Sequence, residues 1–155
     1  VHWHVVIYGR KPRNMKFYQG LYKPKNPEKY VGDVNKIVYR SGLELRFFRH
    51  FDKHPGIVKW ASEEFYVPYL SPVDGRMHRY FVDLIVQTRD GTKIMIEIKP
   101  FSQTAQPKGK AGKRQLGAMR TWAVNDAKWK AAREFCKARK MQFQILTEKD
   151  LKEVR

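Results

Sequence analysis

Three residues near the middle of the chain, Asp83, Glu97 and Lys99, have the types and spacing of a hydrolytic centre. In an extended segment alternate side chains share a face, so Glu97 and Lys99 point together while Ile98 points into a core. Asp83 lies on the preceding strand, and the turn between the strands decides whether the two carboxylates meet. A two-residue Asp90-Gly91 loop sets Asp83 opposite Ile98, with Glu97 facing away. A three-residue Arg89-Asp90-Gly91 loop, with Gly91 left-handed in a bulge, sets Asp83 opposite Glu97. One residue of register separates a metal site from none. Opposed carboxylates with Cβ atoms about 5 Å apart repel each other unless a cation sits between them. Mg²⁺ suits such a site, taking a few carboxylate oxygens and keeping water and phosphate as its other ligands; Mn²⁺ can substitute. Lys99 would then hold an attacking water or neutralise the charge of a pentacovalent transition state. Those parts are what phosphodiester hydrolysis requires. A fourth candidate, Glu44, lies on a helix upstream.

The elements that must position these residues follow from capping and periodicity. Ser41-Gly42-Leu43-Glu44 forms a capping box, and Leu43, Phe47, Phe48 and Phe51 give the helix its apolar stripe. His54-Pro55-Gly56 ends it. Residues 64–69, 79–88 and 93–98 read as strands joined by turn-forming segments at 71–75 and 89–91. Residues 80–86 are apolar at both parities, the mark of a central strand covered on both faces, and Asp83 is the one carboxylate in it. Residues 102–118 carry glycines, prolines and a dense basic run, and read as a loop leading into a helix through Trp122. Residues 126–140 form a helix with Trp129, Ala132, Phe135 and Cys136 on its apolar side. Residues 143–146 form a strand, and Thr147 caps a last short helix. The order α-β-β-β-α-β-α predicts an α/β domain, a central mixed sheet flanked by helices on both faces. Residues 37–155 form that single domain. Residues 1–36 read as a basic arm, lying on the domain or reaching toward a partner, with residues 1–14 outside the native unit.

Charge narrows the partners. With 32 Lys and Arg against 15 Asp and Glu, the net charge is +17. A field that strong points to a polyanion. The uncharged runs are too short to span a bilayer, and no basic amphipathic helix or lipidation signal marks a membrane surface. Double-stranded DNA is the expected partner, with Arg10, Lys11, Arg13, Lys16, Lys23 and Lys25 in the arm and Lys108, Lys110, Lys113 and Arg114 in the loop contacting phosphates without reading bases. Cys136 is the sole cysteine, which excludes an intrachain disulfide and a Cys-based zinc site and fits a reducing cytoplasm. The first residues lack the pattern of a signal peptide.

Asp83 followed by Glu97-x-Lys99 on the next strand, preceded by a helical Glu44, resembles the PD-(D/E)xK nuclease superfamily. Tyr39-Arg40-Ser41, residues 60–64, His78-Arg79-Tyr80-Phe81, Glu97-Ile98-Lys99-Pro100, Lys128-Trp129-Lys130-Ala131-Ala132 and Leu146-Thr147-Glu148 extend the likeness to the head completion nucleases of large contractile-tailed phages. The similarity runs from about Met15 to the end of the chain. Transposon end-cleaving enzymes of the TnsA type resemble it more distantly. The resemblance implies a restriction-endonuclease-like fold, Asp83 and Glu97 as metal ligands, Lys99 supporting the nucleophile and Glu44 assisting, as a third ligand in some arrangements. It further implies work on DNA during phage head completion, in the host cytoplasm or within the virion, beside head or neck proteins. Val82 departs from the motif, standing where its proline would be; that proline supplies no ligand.

Each candidate also has a purely structural reading. Glu44 completes a capping box, Asp83 can pair with Arg79 or His78, and Glu97 and Lys99 can be the solvent face of an edge strand. Of the adjacent Glu63 and Glu64 only one can face the site. Trp122 and Trp129 sit at core phases of a helix and are not expected to stack bases. The competing functional class is a DNA-binding virion component that keeps the fold without catalysis, which the retention of Asp83, Glu97 and Lys99 together disfavours.

Overall fold

Glu97 lies near the end of one strand of the main sheet and Asp83 immediately before the neighbouring strand in a computed structural model, which describes residues 19–109 and 112–152. The elements run β1 (Gly20–Leu21), β2 (Val38–Tyr39), α1 (Gly42–Lys53), β3 (Ile57–Ser62), β4 (Tyr66–Leu70), β5 (Met77–Phe81), β6 (Leu84–Thr88), β7 (Lys93–Ile98), α2 (Lys113–Ala138), β8 (Gln142–Leu146) and α3 (Glu148–Lys152). The main sheet has the order β3-β6-β7-β8. Its first two pairings are antiparallel and β7–β8 is parallel, so the sheet is mixed, as expected.

Strand alternation sends Leu84, Val86, Ile96 and Ile98 to one face, where α1 covers them with Phe47, Phe48 and Phe51. Ile85 and Met95 face the other way, against Trp129, Ala132 and Cys136 of α2. Burying side chains as large as Phe47, Phe48 and Trp60 contributes about 2–3 kcal/mol each. Trp122 packs edge-on against Trp129, both at core positions. Cys136 is a buried free thiol, and burial pushes its pKa up to about 11, away from reactivity.

Residues 20–36 lie on the domain. Tyr30 is buried against Trp60, and buried Asp52 near the end of α1 accepts from the Tyr22 hydroxyl at 2.7 Å, Lys25 N at 2.7 Å and Asn26 N at 3.1 Å. The Lys29 ammonium donates to the carbonyls of Phe51 and Asp52, placing a cation at the negative end of the helix dipole.

Three sequence expectations change. Residues 57–62, not expected as a strand, form β3. The continuous strand expected over 79–88 is two strands, β5 pairing with β4 in a separate ribbon and β6 entering the main sheet. Between Ser62↔Leu84 and Tyr66↔Phe81 one side advances four residues and the other three, so a bulge interrupts the pairing beside Asp83. Apolar residues at both parities concealed this break, because packing of the ribbon on α2 and burial within the sheet select the same residue types. Finally, α2 begins at Lys113, well inside the segment expected as a loop, and runs unbroken through Gly117.

Candidate active site

The turn after β6 sets the register of the site. Gly91 N donates to Thr88 O and Thr88 N to Thr92 O, both at 3.0 Å, closing a loop of Arg89, Asp90 and Gly91. Gly91 has φ +86, in the left-handed region where a Cβ clashes. This is the three-residue turn with a left-handed glycine. β6 and β7 then pair Leu84 with Ile96 and Ile85 with Met95, which brings Asp83 across from Glu97 at the end of the ladder.

Each carboxylate is held separately. Asp83 Oδ2 accepts from Ile98 N at 2.8 Å. Glu97, 5% exposed, accepts from the buried Tyr80 hydroxyl on Oε2 and pairs with the Lys99 ammonium at 3.4 Å on Oε1. Glu44 comes from the first turn of α1, where Ser41 Oγ accepts from Glu44 N at 3.1 Å and Glu44 Oε2 accepts from Arg40 N at 2.7 Å. The Ser41 half of the expected capping box is formed, but the Glu44 carboxylate reaches past the Ser41 N–H to that of Arg40, beside the site.

The electrostatics show how crowded these groups are. Burial raises the Asp83 pKa well above the usual carboxylate range, and the charges of Glu97 and Glu44 raise it further; the Ile98 N–H and Lys99 oppose them. Burial pushes Glu44 up to about 7, offset by the Arg40 N–H and reinforced by Glu63 and Glu97. Burial and the neighbouring Glu97 and Asp83 charges likewise push the Tyr80 phenol upward. Carboxylates that disfavour one another's charge in a low-dielectric setting are stabilised together by a cation, and their hard oxygens suit Mg²⁺ or Mn²⁺. Among the described residues no three His, Cys, Asp or Glu side chains already stand as a cage for an ion. Asp83 Oδ2, both Glu97 oxygens and Glu44 Oε2 are instead engaged by protein donors.

Over residues 54–148 the chain matches the family described as the TnsA-like endonuclease N-terminal domain. It is also 41% identical over 141 residues to the head completion nuclease of Enterobacteria phage T4, an alignment covering 87% of this chain and 94% of that relative. The chain belongs to the TnsA-like endonuclease family. The resemblance carried by its motifs is thus a true kinship, and the chain is a nuclease of restriction-endonuclease-like fold. The family match contains Asp83, Glu97 and Lys99, while Glu44 lies ahead of it on α1.

The structure separates the basic residues of this nuclease into groups. Lys108, Lys113 and Arg114 are exposed around the start of α2. From Lys128, whose ammonium lies 5.6 Å from the Tyr80 ring centre, the helix runs back about 22 Å to Lys113. Lys23 and Lys25 are exposed beside the Asp52 end of α1, about 12 Å along the helix axis from Glu44, and are not brought to the carboxylates. Arg10, Lys11, Arg13, Lys16 and Lys110 lie outside the described residues. His78 bonds Asp74 at 2.7 Å on the exposed ribbon, and Arg79 lies over the Tyr66 ring, so neither is the partner of Asp83 shown by its hydrogen bonding. Sequence reasoning missed the contacts of two site residues. Tyr80 was visible only as an apolar strand residue, yet its hydroxyl fixes Glu97. Arg40 pairs with Glu63 through two hydrogen bonds, a contact between segments 23 residues apart that spacing alone does not disclose.

Proposed function

We propose that this nuclease is a metal-dependent endonuclease that hydrolyses phosphodiester bonds of double-stranded DNA. The placement of Asp83 across from Glu97, with Lys99 on the same carboxylate, carries the reading. Asp83 and Glu97, joined by Glu44, would hold Mg²⁺, with Mn²⁺ as a substitute. When bound, the cation polarises the phosphodiester and acidifies water. The chain's own groups do the rest. Lys99 orients the attacking water and offsets negative charge building on the phosphoryl oxygens. Water oxygen bonds to phosphorus, the bond to one ester oxygen breaks, and that oxygen leaves with a proton while the water's proton passes to solvent. Tyr80 holds Glu97 in place throughout.

DNA fits the +17 charge and the exposed Lys108, Lys113 and Arg114, which suit phosphates without reading bases. The likeness to a phage head completion nuclease supports a role in head completion, beside head or neck proteins, in the host cytoplasm or virion. Nicking of supercoiled plasmid tests the chemistry. Relaxation that requires Mg²⁺ and stops with EDTA is expected; cutting that persists in EDTA would contradict the metal dependence.

A further inference from the structure

Beside the opposed carboxylates lies an ion pair joining the residue before α1's cap to the bulge after β3. Arg40 Nε donates to Glu63 Oε1 at 2.7 Å and Nη2 to Oε2 at 2.9 Å, with 27% and 29% of the two side chains exposed. A two-pronged pair that is mostly shielded from water fixes the plane of the guanidinium. Glu63 has φ +52, a left-handed conformation disfavoured for residues with a Cβ. The strained residue sits in the bulge where the ribbon leaves the main sheet, and Glu63 N donates to Asp83 O at 3.3 Å. A strained backbone that places this carboxylate on Arg40, next to a proposed catalytic aspartate, points to function.

Arg40 is tied to the centre from its other side as well, since its backbone N–H holds Glu44. The fork on Glu63 occupies Nε and Nη2, and among the described residues no hydrogen bond engages Nη1, which carries two N–H groups. Glu44, Glu63, Asp83 and Glu97 face a substrate that is itself an anion. Lys99 is paired with Glu97, and Arg40 is a second cation acting on the same carboxylates. A guanidinium held flat by a carboxylate presents its remaining edge in a set direction, which a flexible ammonium does not.

We infer that Arg40 is a substrate-binding residue of this centre, contacting a phosphodiester oxygen through Nη1, and that Glu63 is the positioning residue that aims it. The inference rests on the proposed nuclease mechanism. It adds a phosphate contact to the carboxylates and Lys99.

The test combines single-turnover cutting in Mg²⁺ with binding of a fluorescein-labelled duplex in EDTA across a salt series. Arg40→Ala should slow cutting about a hundredfold and lower the salt slope of binding by about one unit. Arg40→Lys should recover the slope but at most about a tenth of the rate, because the ammonium lacks the fork. Glu63→Gly, which accepts the left-handed backbone without strain, should slow cutting about tenfold and add nothing to Arg40→Ala, as expected of groups acting as one unit. Wild-type cutting and an unchanged salt slope in Arg40→Ala would overturn the inference, as would multiplying effects in the double variant. Asp83→Asn, run alongside, separates the two levels. If it cuts normally the underlying mechanism fails, whereas a dead Asp83→Asn beside normal Arg40 variants refutes this inference alone.

Discussion

Two aspartates, one in α1 and one near its first turn, show how differently a fold can use an enclosed carboxylate. Asp52, buried near the end of α1, is surrounded by donors: the Tyr22 hydroxyl and the backbone N–H groups of Lys25 and Asn26. Asp83, half-buried near the start of the same helix, has the Ile98 N–H and two carboxylate neighbours, Glu97 and Glu44, which raise its pKa. Each of the Asp52 bonds ties residues 22–26 to α1, so its charge is consumed by structure. Around Asp83 negative charge accumulates and is only partly answered by Lys99. A carboxylate answered by the protein holds the protein together; one left among its own kind is available to a cation.

That contrast is most easily broken by matched substitutions. Asp83→Asn should reduce Mg²⁺-dependent cutting by at least about a thousandfold while leaving the melting temperature unchanged or raised, since a repulsion is relieved. Asp52→Asn should do the reverse. Losing a charged acceptor for several donors costs about 2–3 kcal/mol, a drop of roughly 5–10 °C in a chain of this size, with cutting per folded molecule retained. Thermal melts beside single-turnover assays read both. Reduced activity in folded Asp52→Asn would erase the distinction.

Smaller effects sharpen it. Tyr80→Phe removes the hydroxyl on Glu97 without emptying its volume, and should weaken Mn²⁺ affinity by about tenfold, measured by titration calorimetry. Gly91→Val should slow cutting although residue 91 is remote from the carboxylates, because a β-branched residue is strained at φ +86 and the register of β6 and β7 depends on that turn. An unchanged rate in Gly91→Val would show that the pairing itself fixes the register. Smallest of all, replacing Lys108, Lys113 and Arg114 by Gln should flatten the salt dependence of DNA binding by about two to three units. Replacing Lys23 and Lys25, beside Asp52, should flatten it less.

The sequence made one half of this comparison legible and hid the other. Asp83, Glu97 and Lys99 could be placed because strand parity and the glycine after Asp90 are local rules, and the observed turn follows them. Fold class was legible for the same reason, through caps and apolar periodicity. Asp52 could not be recognised as a hub, since its donors lie more than 25 residues earlier in a Pro- and Lys-rich segment that resembles an arm. β3 was missed because Lys59 interrupts its apolar pattern and its register shifts between Ile57 and Lys59. Arg40 with Glu63, and Tyr80 with Glu97, depend on tertiary meetings that no periodicity encodes.

Cation binding itself tests the central claim most directly. Mn²⁺ titrated into the protein and followed by water-proton relaxation reports the bound ion without any cutting step. Asp52→Asn and Asp83→Asn make the same chemical substitution, carboxyl to amide, so comparing them separates the site from a general effect of that exchange. Binding in the wild type and in Asp52→Asn, with loss in Asp83→Asn and Glu97→Gln, is the expected result. Equal Mn²⁺ binding by all four proteins would contradict the assignment of Asp83 and Glu97 as the metal-holding pair.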